Sequence, residues 1–384
     1  VRFEVATAAR VVFGPGAIDE LGGAAAGLGR RVLLVTGRAS ERAFAARERL
    51  EQGGLAVEAF AVASEPTVDD VRRGVGAGRA FAADVVVACG GGSAIDAGKA
   101  IAALLGNGGD ALDYLEVVGR GLSLGRPSLP IVAVPTTAGT GSEVTRNAVL
   151  ASPEHGVKAS LRSPHMLPKA AIVDPDLLVG VPRGVLAASG LDAFSQLVEP
   201  FVSVRANPIV DALVREGLLR SARSLRRAYD GDESEAVRTD LALASLTGGL
   251  ALANAGLGAV HGFAAPFGGL FAAPHGAVCA ALLPAVMRVN LRALAARNPE
   301  SPALGRYREI AAIVTGRSSA GAADGVAWVE SLVRDLAVPG LAHWGASAHD
   351  VPELVTRAAA ASSMRGNPVP LSPDELAEIV TSSL

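Results

Sequence analysis

Three continuous apolar runs constrain this chain most: Arg31-Val32-Leu33-Leu34-Val35-Thr36, Asp84-Val85-Val86-Val87-Ala88-Cys89 and Leu129-Pro130-Ile131-Val132-Ala133-Val134. Each is of strand length, and each is closed by a turn rich in glycine or hydroxyls. A strand wetted on one face alternates apolar and polar residues, whereas one covered on both faces reads as an unbroken apolar run. Amphipathic segments at 41–52, 67–79 and 94–105 read as helices between these strands. Strand, turn and helix in this alternation predict a mostly parallel sheet covered on both sides. Phe3 to Phe13 adds one or two short strands, Ala17 to Gly27 a helix, and Val57 to Val62 another strand. A hairpin is expected from 147–150 and 157–161, and a last strand from Ala171 to Val173.

After about Pro182 the strand signals stop. Ala/Leu-rich amphipathic stretches take over at 183–202, 207–229, 234–262, 275–295, 303–316, 319–336, 349–363 and 372–383. Two domains are therefore expected: an α/β domain with a mostly parallel sheet over 1–182 and an all-α domain over 183–384. With 50% hydrophobic and 19% charged residues, the chain can bury a sizeable core. A formal net charge of −3 argues against a nucleic-acid partner, which would call for a basic excess. Every apolar run is interrupted before about 18 residues, so no membrane span is read. The first residues carry no long apolar run, so no signal peptide is read and a cytoplasmic protein is expected. Cys89 and Cys279 sit in apolar runs, as free buried thiols do in a reducing compartment.

The turns carry the first functional signal. Gly90-Gly91-Gly92-Ser93 follows a buried strand and opens a helix, where backbone N–H groups can cradle a phosphate. It matches neither the G-x-G-x-x-G fingerprint nor a P-loop. Pro135-Thr136-Thr137-Ala138-Gly139-Thr140-Gly141-Ser142 crowds hydroxyls and glycines at the carboxyl end of a strand, where ligands bind in open α/β sheets. Two such loops predict a dinucleotide across the sheet. In Gly37-Arg38-Ala39-Ser40, glycine stands where an NAD site often has an acidic residue that repels a 2′-phosphate. Arg38 and Ser40 can instead bind that phosphate, so NADP is favoured over NAD.

A second signal lies in Asn254 to Pro284, an apolar, Gly-rich stretch that holds His261 and His275, two of only six histidines. Upstream, Asp192 and Gln196 stand at i and i+4 on one face of a predicted helix. A carboxylate in apolar company is costly unless it is paired or ligates a cation. Asp192, Gln196, His261 and His275 thus form an oxygen/nitrogen set suited to a divalent metal.

Taken together and in order, these motifs resemble the iron-containing (group III) alcohol dehydrogenase family, with maleylacetate reductases as a neighbouring branch. The matching pieces are GGGSAIDAGKAIA at 90–102, PTTAGTGSEVT at 135–145, VKASLRSPHMLPKAAIVDPDL at 157–177, GLDAFSQLVEPFVS at 190–203 and VHGFAAPFGGLFAAPHGAVCAALLP at 260–284. The resemblance implies the dehydroquinate synthase-like fold of that family, with a Rossmann-like dinucleotide-binding α/β domain over 1–182 and a helical metal- and substrate-binding domain over 183–384, and hydride transfer between NAD(P) and a small alcohol or aldehyde. It implies iron or zinc polarising the substrate oxygen, and a homodimer. It also implies that Gly91, Gly92, Ser93, Asp96, Thr136, Thr137, Thr140, Ser142 and Lys158 touch the cofactor, and that Asp192, His261 and His275 are metal ligands and the catalytic set.

Two departures stand out. The family reads Asp-x-x-x-His where this chain has Gln196, so an amide replaces an imidazole ligand. The family also has a histidine, close to the nicotinamide, where this chain has Ala265. The competing expectations are a maleylacetate-type reductase of keto acids, a lyase resembling dehydroquinate synthase, and a degenerate nucleotide-binding member with lost or metal-independent activity.

Overall fold

A computed structural model describes residues 2–38 and 41–384, so Ser40 lies outside the described residues. The chain divides into two compact units, Ala6–Val179 and Gly180–Leu384, the latter joined by Val1–Val5.

The first unit carries strands β1 (Val11–Phe13), β2 (Arg31–Thr36), β3 (Ala56–Ala61), β4 (Val85–Gly90), β5 (Ile131–Pro135), β6 (Asn147–Ser152), β7 (Val157–Arg162) and β8 (Ala170–Val173). Its helices are α1 (Leu21–Ala26), α2 (Glu41–Gln52), α3 (Val68–Phe81), α4 (Gly92–Asn107) and α5 (Ala111–Tyr114). Six strands pair in the order β1-β8-β5-β4-β2-β3, all parallel. β6 and β7 form the expected antiparallel hairpin. β4 and β5 are buried at every position, as their unbroken apolar sequences require. The chain runs outward from β2 to β3, then returns to the other side of β2 for β4. That reversal opens a crevice at the carboxyl ends of β2 and β4, the ligand-binding position of open α/β sheets.

Some expectations about local structure are corrected. Between Phe3 and Phe13 only Val11–Phe13 forms a strand, while Phe3 and Val5 stay on the surface. The segment from Ala17 starts as a 3-10 turn, Ala17–Glu20, and continues as the short α1. The Asp174 carboxylate accepts from the amides of Gly16 (3.2 Å) and Ile18 (3.0 Å), which satisfies donors that a helix start leaves over.

α4 carries a fully buried Lys99, whose ammonium donates to the Ser142 carbonyl (3.0 Å) and the Thr145 hydroxyl (2.9 Å) and lies 3.2 Å from Asp96. Nearby Glu143 is also buried, and burial pushes its carboxyl from 4.5 up to about 7, against the opposing charge of Lys99. Between these two values the folded state holds the proton and the unfolded chain releases it. Stability therefore falls as pH rises through that window, by about 3 kcal/mol when the fall is complete. Glu143→Gln is expected to flatten this slope; urea unfolding at about pH 5 and about pH 8 measures it. An unchanged slope in the variant would assign the effect elsewhere.

The second unit is helical: α6 (Arg183–Val202), α7 (Pro208–Tyr229), α8 (Glu235–Ala255), α9 (Ala259–Leu270), α10 (His275–Arg297), α11 (Pro302–Thr315), α12 (Ala322–Asp335), α13 (Val351–Ala360) and α14 (Pro373–Thr381). One large apolar core joins α6, α9 and α10 through Phe194, Leu197, Phe201, Phe263, Phe267, Val278 and Leu282. α10 has the length and apolarity of a membrane-crossing helix, but 78% of its apolar window is buried inside the protein, as a core helix would be. The stretch 234–262, expected as one helix, is two, bent by 98° after Ala255. Gly256 ends α8 at φ 73°, a conformation that favours glycine. Gly258 then leads into α9, whose first amides find acceptors on other segments: Ala259 N–H donates to Asn367 Oδ1 (3.2 Å) and Val260 N–H to Glu199 Oε1 (2.7 Å).

Candidate metal centre

This break delivers His261 to α6. Glu199 holds the start of α9 with one oxygen and faces His261 Nδ1 with the other at 2.5 Å. His261 Nε2 is thereby turned toward Asp192 Oδ1, 3.3 Å away. His275, the first residue of α10, places Nε2 3.8 Å from the same Asp192 oxygen. One turn on, at i+4, Cys279 Sγ lies 3.6 Å from His275 Nε2. One donor atom from each of Asp192, His261, His275 and Cys279 lies within 4.8 Å of the others. Asp192 and His261 are buried, yet Asp192 Oδ1 and His261 Nε2 have no hydrogen-bond partner. Buried polar atoms left unpaired cost about 1–3 kcal/mol each, and a shared cation removes that cost.

The local electrostatics agree. Burial alone would lower the His261 pKa, but the facing Cys279, Glu199 and Asp192 outweigh it and hold the group well above 6.5. Burial alone would likewise raise the Asp192 carboxyl, but His275 and His261 hold it below 3.8. The cluster thus retains positive charge at its centre, the place a divalent cation takes when the imidazoles give up their protons.

Gln196 lies beside the cluster. Its Nε2 donates to Asp192 Oδ2 at 3.0 Å, while Oε1 is buried without a partner, 3.6 Å from where a Cβ on Gly248 of α8 would lie. Ala265 lies one turn beyond His261 on α9 and offers no titratable group. Sequence reasoning missed Glu199 and Cys279. Glu199 stands seven residues after Asp192, two helical turns along one face of α6, and Cys279 four after His275; those spacings were the available signal.

Glu199→Gln keeps an acceptor for Val260 but loses the charge that fixes the His261 tautomer. Metal affinity is expected to fall about 10–100-fold, read by chelator competition; an unchanged affinity would leave Glu199 as a cap for α9 alone.

In the α/β unit the Gly- and Thr-rich loops converge at the carboxyl ends of neighbouring strands. A Cβ on Gly92 would lie 2.5 Å from Thr140 Cγ2, and one on Gly91 3.2 Å from Thr137 Oγ1. A Cβ on Gly90 would come within 3.3 Å of the Gly37 amide. Ser93 sits in the first turn of α4, and Thr136 follows β5, where it is buried. Asp96 already bonds the Ser142 hydroxyl and accepts from Val149 N–H at 2.9 Å. Lys158 pairs with Glu65, and Arg38 donates to the Ala63 carbonyl at 3.1 Å.

A parallel α/β unit with glycine-lined strand ends and a helical unit with an Asp/His/His cluster are the parts of a metal-dependent, nucleotide-binding enzyme. The chain belongs to the iron-containing alcohol dehydrogenase family, matching "Iron-containing alcohol dehydrogenase" over residues 8–175 and the C-terminal part, "Fe-containing alcohol dehydrogenase family, C-terminal", over 186–384. It is 37% identical to 1,3-propanediol dehydrogenase of Klebsiella pneumoniae over 383 residues, 96% of this chain and 95% of that protein. A crystal structure of 1,3-propanediol oxidoreductase superposes with a TM-score of 0.92 at 34% identity, covering 100% of both chains. Sulfoacetaldehyde reductase from Bifidobacterium kashiwanohense, solved in complex with NAD+, gives 0.87 at 28% identity, covering 100% of this chain and 99% of that one. The protein is therefore an oxidoreductase of small alcohols and aldehydes with a metal-binding site at Asp192, His261 and His275. NAD(P) binding goes with the family.

Proposed function

We propose that the protein interconverts a short primary alcohol and its aldehyde with NADP(H), as a cytoplasmic homodimer. The observation that carries the reading is the pair of buried, unpartnered atoms, Asp192 Oδ1 and His261 Nε2, 3.3 Å apart beside His275. A divalent cation held there, iron or zinc, supplies a Lewis acid for the substrate oxygen. Asp192, His261 and His275 hold and orient it, and Gln196 and Glu199 steady two of those ligands.

For the cofactor, the pyrophosphate belongs at the start of α4, on the backbone amides of Gly91, Gly92 and Ser93. Thr136, Thr137, Thr140 and Ser142 surround that place with hydroxyls. In support, the two loops pack together here: a Cβ on Gly91 would crowd Thr137 and one on Gly92 would meet Thr140. Asp96 and Lys158 act on the cofactor less directly in this reading, since Asp96 holds Ser142 and Lys158 is paired with Glu65. Gly37 and Arg38 receive the adenosine ribose, where the missing acidic residue favours a 2′-phosphate. A keto-acid substrate finds less support, because Arg162 lies 3.8 Å from Glu116 and Lys158 is already paired.

The test is steady-state turnover of the metal-loaded protein with short diols, 1,3-propanediol first, and their aldehydes. NADPH is expected to exceed NADH by about tenfold in kcat/KM, and Gly37→Asp to reverse the order by repelling the 2′-phosphate. A preference for NADH in the unaltered protein would overturn the cofactor assignment. No turnover with any alcohol or aldehyde would overturn the substrate class.

A further inference from the structure

We propose that the Cys279 thiolate is the fourth protein ligand of the metal, in place of the imidazole that the family carries at position 196, and that this donor set selects zinc over iron. The inference rests on the metal site at Asp192, His261 and His275. Three observations carry it. First, Cys279 is fully buried, and its sulfur belongs to the same cluster of donor atoms, all within 4.8 Å of one another. Second, the spacings that link His261 to Asp192, Asp192 to His275 and His275 to Cys279 are close to those between donors on one shared cation. A four-coordinate cation with bonds of roughly 2.0–2.3 Å holds neighbouring donors about 3.3–3.6 Å apart. The distances are 3.3 Å for His261 to Asp192, 3.6 Å for His275 to Cys279 and 3.8 Å for His275 to Asp192. Third, the Gln196 amide is oriented by its N–H group, which donates to Asp192 Oδ2 at 3.0 Å, while its oxygen has no partner and lies on the side of Gly248 in α8.

Losing the imidazole at 196 therefore leaves the coordination number unchanged, because the vacated donor is supplied from the opposite helix. His275 and Cys279 form one i, i+4 pair on α10, facing Asp192 and His261. The chemistry of the shell does change. One carboxylate and one thiolate cancel both charges of a divalent cation, whereas one carboxylate and three imidazoles cancel only one. The soft sulfur favours Zn2+, for which tetrahedral sites with sulfur and nitrogen donors are common. With four protein donors the substrate oxygen would enter as a fifth, and the more neutral site would polarise it less strongly.

Cobalt(II) substitution tests this without reference to activity. The chain has two cysteines, and Cys89 belongs to the α/β unit. In Cys89→Ser protein, Cys279 is thus the only thiol. That variant loaded with cobalt(II) is expected to show the near-ultraviolet sulfur-to-cobalt charge-transfer band and the intense visible bands of a tetrahedral site. Cys279→Ser is expected to lose the charge-transfer band and to weaken zinc binding by about 100-fold or more in chelator competition, whereas Gln196→Ala, which removes a hydrogen bond to Asp192, is expected to keep the band and to weaken zinc by about 10-fold. Cobalt bound with visible bands but no charge-transfer band would overturn the cysteine assignment and leave the Asp/His/His site standing. No cobalt bound at all would overturn both. If Gln196→Ala weakened zinc as much as Cys279→Ser, the amide would be the ligand and the proposal would fall.

Discussion

His261→Ala is expected to strip the protein of its metal and to lower kcat/KM by about a thousandfold or more, the scale of removing a Lewis acid from a polar transition state. His261 is the most constrained ligand. It is buried, Glu199 grips one ring nitrogen, and the other has no partner besides the site itself. The fold should survive the change. Glu199 still accepts from Val260 N–H and Asn367 from Ala259 N–H, so the start of α9 remains capped. The expected result is therefore a folded, cooperatively melting protein without bound metal. Elemental analysis beside a thermal melt separates this from simple unfolding. A variant that keeps stoichiometric metal and turnover would show that the ion is held elsewhere.

A second large effect is expected from a residue that carries no chemistry. At Gly276, beside His275, an added Cβ would lie 2.2 Å from the carbonyl oxygen of Ala188 and 3.1 Å from the Asp192 Cβ. The first of these is backbone within α6, so no side-chain rotation relieves it. α10 must shift away from α6, and with it His275 and Cys279 leave the oxygen of Asp192. Gly276→Ala should cost about 1–3 kcal/mol of stability, as overpacking does, and weaken metal binding by at least about tenfold. The control is Gly184→Ala, in α6, where an added Cβ meets nothing within 4 Å. It should be neutral or slightly stabilising. Metal affinity unchanged by Gly276→Ala would mean that α10 does not set the geometry of the site.

The residues that read most clearly in sequence are those whose local and tertiary roles agree. β4 and β5 are apolar without interruption because both faces are covered, and they lie side by side in the sheet. Asp192, His261 and His275 stood out because charged or imidazole groups in apolar company need a partner. Glu199 and Cys279 were silent for the opposite reason. A glutamate in an amphipathic helix reads as solvated, and a cysteine in an apolar run reads as core. Each is common in those settings, and only neighbours far along the chain give it another meaning. The helix break is the sharpest example. Gly248 and Gly249 remain inside α8, whereas Gly256 ends it. Glycine is tolerated in a helix at about 1 kcal/mol, so the residue type does not choose between these outcomes. The acceptors waiting at Glu199 and Asn367 do.

Periodicity and turn chemistry, which are local, were enough to specify a parallel sheet, a helical second half and three of the metal-site residues. Which nitrogen, oxygen and sulfur atoms meet was set by packing. The chain had to turn by 98° between α8 and α9 for His261 to reach α6, and α10 had to approach within glycine distance for His275 and Cys279 to face Asp192. Coordination depends on distances of a few tenths of an ångström between residues more than eighty positions apart, as Asp192 and His275 are, and linear spacing along a chain carries no such distance.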